Sequence, residues 1–85
     1  MALKLRSGVF EAETEYGIVL LDGDSGEYYD LNGTGALVLR TLLAGGTAAQ
    51  AARALADEYA VGIDDATQDV RDLVTHLHTA QLVEE

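Results

Sequence analysis

The sequence predicts an α+β domain: a three-stranded antiparallel meander followed by three helices. Three observations lead there. Up to Leu31 the apolar residues alternate with polar ones or run together in short stretches, whereas beyond Asn32 they recur every three or four positions. The change falls at Asn32-Gly33-Thr34-Gly35, a run suited to capping a helix. Strands gathered at the front with helices behind is also the element order of α+β domains, not of alternating strand–helix units. The 85 residues form one domain, spanning 1–85.

From Val9 to Tyr16 the side chains alternate, with Phe10, Ala12, Thr14 and Tyr16 on one face and Val9, Glu11, Glu13 and Glu15 on the other. This predicts a half-buried strand whose acidic face meets solvent, ended by Gly17. Ile18-Val19-Leu20-Leu21 is uniformly apolar, as expected of a central strand. Asp22 to Gly26 reverses the chain, with Gly23 and Gly26 able to take positive φ, and Glu27 to Leu31 forms the third strand. Short connections make these a meander. Asn32 or Thr34 caps a first helix carrying Leu37, Val38, Leu42 and Leu43, which Gly45-Gly46 ends. Thr47-Ala48-Ala49-Gln50 fits a capping box for a second helix with the apolar stripe Ala48, Ala51, Ala52, Leu55 and Tyr59. Asp64 or Asp65 caps a third helix that buries Ala66, Val70, Leu73, Val74 and Leu77, and Leu82 and Val83 close the base of the core. The outline is that of a winged helix-turn-helix.

Composition excludes several classes of function. Without cysteine there is no disulfide, thiolate metal site or cysteine nucleophile. Fifteen Asp+Glu against five Lys+Arg give a net charge of −10, which repels nucleic-acid phosphates and favours basic or apolar partners. The third helix carries Asp64, Asp65, Asp69 and Asp72 against Arg71, the wrong sign for a recognition helix, so a transcription-related winged helix, DNA-binding or anti-activator, remains only as the alternative reading. Met1 to Arg6 lacks an apolar signal core and no run is long enough to span a membrane, so a cytoplasmic location is expected. Asp22 and Asp24 start like a calcium loop, but Gly26, Glu27 and Gly33 then stand at the wrong positions. His76 and His78 lie about 200° apart on a helix and cannot share a metal ion. Neither Ser7 nor Ser25 sits on a nucleophile elbow. No catalytic, metal or cofactor site is expected.

Two features remain. On the third strand Tyr29 and Leu31 continue the core, while Tyr28 and Asp30 face the other way. The outer edge of Glu27 to Leu31 leaves main-chain groups free for an extended peptide to join. On the third helix Asp65, Asp69, Asp72 and His76 form a stripe beside the core residues. Together the two predict a groove with an apolar floor of Leu73 and Leu77 and an acidic wall.

The run Val19-Leu20-Leu21-Asp22, then Gly26-Glu27-Tyr28-Tyr29-Asp30-Leu31-Asn32-Gly33-Thr34-Gly35-Ala36, resembles the PqqD-like peptide-recognition fold, the RiPP recognition element. Leu42-Leu43-Ala44-Gly45-Gly46-Thr47 and the later Val70, Leu73 and Leu77 fit the same resemblance, which covers about Ile18 to Val83. The hairpin and the Leu-Asn-x-Thr-Gly run are its most specific part. It implies that the leader of a ribosomally made, later modified precursor peptide adds as a strand to the third strand and lies against the third helix. PqqD-type sequences usually carry a proline after the second strand. The absence of proline here points instead toward the free-standing recognition proteins of lasso-peptide clusters. Those hand the precursor to a separate leader peptidase of the cysteine-protease type, with the cyclase as a further partner. The expected peptide-binding residues are Glu27, Tyr28, Tyr29, Asp30, Leu31, Asp69, Asp72, Leu73, His76 and Leu77.

Overall fold

The computed structural model describes residues 3–85. Its elements are β1 (Lys4–Leu5), β2 (Val9–Glu13), β3 (Ile18–Asp22), β4 (Tyr28–Leu31), α1 (Gly33–Leu43), α2 (Ala48–Tyr59), α3 (Ile63–Thr79) and β5 (Val83–Glu84). Strands β2, β3 and β4 form the expected antiparallel meander with β3 in the middle. The register aligns Phe10 with Leu21 and Tyr28, and Glu11 with Leu20 and Tyr29.

One face of this sheet is covered by the helices, and there Ile18, Leu20 and Leu31 are buried. Parity then decides the fate of β2. Val9 is buried, whereas Phe10 is 62% exposed, so the strand presents the opposite face from the one expected. An edge strand can carry polar residues on the covered face because its margin overhangs solvent. Glu13 sits at that margin and receives a two-pronged ion pair from Arg40 of α1, with Nη2 donating to Oε1 at 2.7 Å. The Arg40 hydrogen bond holds the Glu13 carboxyl below its usual range. The strand also ends at Glu13 rather than reaching Tyr16. Phe10, Leu21 and Tyr28 form an exposed apolar row across the outer face.

Helix boundaries follow local chemistry. Asn32 caps α1, its Oδ1 accepting from Gly35 N–H at 3.1 Å and from the Thr34 hydroxyl at 2.8 Å. At α2 the capping box is complete: Gln50 N–H donates to Thr47 Oγ1 at 3.1 Å, and Thr47 N–H donates to Gln50 Oε1 at 2.8 Å. Loss of such a cap costs about 1 kcal/mol. Helix α3 begins one residue before Asp64, with Gly62 as its cap and no side-chain cap bond. Asp64 and Asp65 lie instead in the first turn, where the positive end of the helix dipole favours carboxylates. Ala51, Ala52 and Ala66 are buried, and their small side chains let α2 and α3 approach closely.

Beyond the expected elements, β1 pairs with β5 in a second, two-stranded sheet, matching Lys4 with Glu84 and Leu5 with Val83. Arg6 N–H extends this ladder to Leu82 O at 3.0 Å. Leu82 and Val83 are buried, closing the base of the core as the sequence suggests.

Candidate functional site

Hydrogen-bond phase along the meander determines which main-chain groups of β4 are free. Asp22 N–H donates to Glu27 O at 2.9 Å, and the bonded pairs of an antiparallel ladder recur every second residue. The next bonded pairs are therefore Leu20 with Tyr29 and Ile18 with Leu31. On the other side of β3, Thr14 N–H donates to Gly17 O at 2.8 Å, which gives the complementary phase for β2 and β3. Tyr28 and Asp30 thus turn their N–H and C=O groups away from β3, toward the open edge. Among the described residues no main-chain hydrogen bond joins that edge to another element.

Beside the edge runs a cleft whose other wall is α3. Its larger part, about 720 Å³, is lined by Tyr29, Asp30 and Leu31 from β4 and by Asp69, Leu73 and His76 from α3. Val38 and Leu55 supply apolar floor, and Thr14 and Tyr16 close one end. A smaller cavity of about 210 Å³ lies at the other end of β4, between Asp22, Glu27, Tyr28 and Tyr29 on one side and Ala80 and Leu82 on the other. Both cavities are lined without lysine or arginine, so the carboxylates give the cleft a negative field.

Eight of the ten expected residues line these two cavities. Leu77 does not: it is fully buried, and Leu82 N–H donates to its carbonyl at 3.0 Å where the chain folds back over the last turn of α3. It belongs to the core rather than to an accessible floor. Asp72 also lies outside the lining and accepts a hydrogen bond from Gln68 Nε2 at 2.9 Å. Tyr16 was not anticipated. A Cβ on Gly17 would overlap Leu31 O, so the β2–β3 turn can press against the end of β4 only with glycine there. That approach brings the 81% exposed Tyr16 to the cleft.

The acidic turn after β3 holds an arginine. Asp22 Oδ1 accepts from Asp24 N–H at 2.9 Å and from Ser25 N–H, while its Oδ2 meets Arg6 Nη2 at 2.8 Å. Arg6 Nη1 reaches Asp24 Oδ2 at 3.2 Å. The Asp24 amide, then the Arg6 guanidinium, hold the Asp22 carboxyl below its usual range. Among the described residues no group of three or more His, Asp or Glu is arranged to hold a metal ion.

Comparison with known proteins gives the same architecture together with bound peptides. The structure described as lasso peptide synthetase B1 complexed with the leader peptide superposes with a TM-score of 0.93 at 42% identity, covering 100% of both chains. A second, TbiB1 in complex with the TbiA(beta) leader peptide, gives 0.85 at 27% identity, covering 95% of this chain and 94% of that one. No curated protein matches the sequence. The family described as coenzyme PQQ synthesis protein D (PqqD) matches residues 17–83. An edge strand beside an acidic helix, in a meander followed by three helices, is therefore the form taken here by a member of the PqqD family, to which this chain belongs.

Proposed function

We propose that this protein is a leader-peptide-binding adaptor of lasso-peptide biosynthesis. The precursor leader joins the meander as a further strand along β4. The observation that carries this reading is the pair of outward main-chain positions, Tyr28 and Asp30, beside a cleft with an apolar floor and an acidic mouth. Strand addition supplies hydrogen bonds irrespective of the guest's sequence, and cavities for alternate side chains supply selectivity. Leu73, Tyr29 and Leu31 receive apolar side chains, and Asp69 favours a lysine or arginine. The leader-bound state of the 42% identical relative supports the reading.

The adaptor needs no chemistry of its own and hands the leader to a separate peptidase of the cysteine-protease type, with the cyclase as a further partner. The exposed row of Phe10, Leu21 and Tyr28 adjoins the same strand edge, so a peptidase seated there would touch sheet and guest together. A transcription-related role draws no support from α3, whose first half carries Asp64, Asp65 and Asp69.

Titration of the labelled leader from the 42% identical complex tests the proposal. The expected Kd is about 10 nM to 1 μM, or about −8 to −11 kcal/mol. Amide hydrogen exchange should show Tyr28 and Asp30 becoming protected on binding. Absence of binding, or protection on β2 in place of β4, would refute it.

A further inference from the structure

The two walls of the cleft are held at their spacing by different means at its two ends. At the larger cavity, Leu31, Val38 and Leu55 pack together beneath the opening. At the smaller cavity, where Leu82 of the core and Tyr29 packed against it stand on the two walls, the β3–β4 turn is in addition tied to the end of α3 through Arg6. Its main-chain N–H donates to Leu82 O at 3.0 Å, and its Nε donates to Gln81 O, just beyond α3. Its guanidinium meanwhile grips Asp22 and Asp24 on the β3–β4 turn. Asp22 and Leu82 both line this smaller cavity, so Arg6 is bonded to one residue of each wall. Among the described residues, every hydrogen bond bridging that turn and the end of α3 passes through Arg6.

The φ of 59° at Gln81 belongs to the cap that ends α3, where Leu82 N–H returns to Leu77 O and Gln81 N–H to His78 O at 3.0 Å, and this turn leaves the Gln81 carbonyl placed to accept from Arg6. A planar guanidinium has donors in several fixed directions, whereas an ammonium is a single point of charge. Only the former can serve the turn and the helix end together. The Arg6 and Asp22 side chains are 28% and 15% exposed, which makes this pair less open to solvent than the Arg40–Glu13 pair at 47% and 60%.

We infer that Arg6 is a positioning residue for peptide capture: it sets the width of the cleft at the Glu27–Leu82 end, and with it the fit of a guest strand along Tyr28. The inference rests on the adaptor reading above and deepens it by assigning a role to a residue that does not line the cleft.

The test uses the full chain and the fluorescently labelled leader of the 42% identical complex as probe. Arg6→Ala, Arg6→Lys and Asp22→Asn are compared with Arg40→Ala. The last variant removes the same charge and also breaks an arginine–carboxylate pair, but one at the other end of the strands, where Glu13 pairs with Ile18. Arg6→Ala and Asp22→Asn should each dissociate the leader about tenfold faster or more. Arg6→Lys should recover only part of the loss, and Arg40→Ala should stay within about twofold of wild type. In the bound state, Tyr28 should lose amide protection in Arg6→Ala while Asp30 keeps it, a local signature that general loosening of the fold would not produce. If Arg6→Ala fails to fold, Arg6→Lys and Asp22→Asn carry the comparison. Affinities equal to that of Arg40→Ala, or equal loss of protection at Tyr28 and Asp30, would overturn the inference. Failure of the wild type to bind would instead overturn the adaptor reading, and this one with it.

Discussion

Replacing Asp30 with proline separates strand addition from every other way of using the cleft. Because the Asp30 N–H points away from β3, proline there removes no hydrogen bond of the meander. The restriction proline imposes on the preceding residue is already met, since Tyr29 is extended in β4. A guest strand would lose one main-chain bond, about 0.5–1.5 kcal/mol, and keep a carbonyl without a donor, about 1–3 kcal/mol. The sum is about 1.5–4.5 kcal/mol, which at about 1.4 kcal/mol per factor of ten raises Kd about ten- to thousandfold. The cleft mouth is open to water, so the lower part of that range applies. Fluorescence anisotropy with the labelled leader measures the change, and circular dichroism confirms the fold. Asp30→Ala keeps the N–H and should retain most of the affinity, separating the main chain from the carboxylate. Tyr29→Pro should unfold the domain, because that N–H belongs to the ladder with Leu20. A folded Asp30→Pro protein that binds the leader like wild type would refute strand addition on β4.

Leu73→Asp places a charge on the apolar side of the cleft at a half-buried position. It should abolish measurable leader binding with little change in circular dichroism, and unchanged affinity would move the site elsewhere. Gly17→Ala should lower stability by several kcal/mol in urea unfolding, because the added methyl overlaps a main-chain oxygen of Leu31 that cannot move without breaking the sheet. Asp22 and Glu13 are both held below their usual carboxylate range, so the stability they contribute is complete above the unfolded carboxyl pKa values of about 4. It is lost as pH falls through their lower folded values. The stability gap between wild type and Asp22→Asn should therefore be constant from pH 7 to 5 and close below about pH 4; a gap that widened on acidification would contradict the Arg6–Asp22 assignment.

What could be read from the sequence was what short-range chemistry decides. A cap at Asn32 or Thr34, the Thr47–Gln50 box and the stop at Gly45 are complete within four residues, and the structure shows the box, the stop and, of the two caps, Asn32. The edge of β4 and its facing helix were legible for the same reason, since alternation and helical period each locate a face. Alternation does not say which face is covered. Phe10 looked like a core residue until the register placed it opposite Leu21 and Tyr28 on the uncovered side. Pairing of Lys4 with Glu84 joins the two ends of the chain through strands of two residues, too short to leave a pattern. Leu73 and Leu77 are one helical turn apart and look alike, yet only the second is covered by the returning Leu82. Tyr16 reaches the cleft through the tight approach at Gly17, and its one sequence signal is an aromatic residue before a glycine at a turn.

The outward groups of Tyr28 and Asp30 repeat every two residues, and so do those of any strand that joins them. A guest sliding by two positions would therefore keep its hydrogen bonds and change only which side chain drops into the hollow beside Leu73. In the proposed adaptor the frame of the guest would then be chosen by one or two bulky anchors, not by the ribbon as a whole, and leader sequences could drift almost everywhere else and still dock in the same frame.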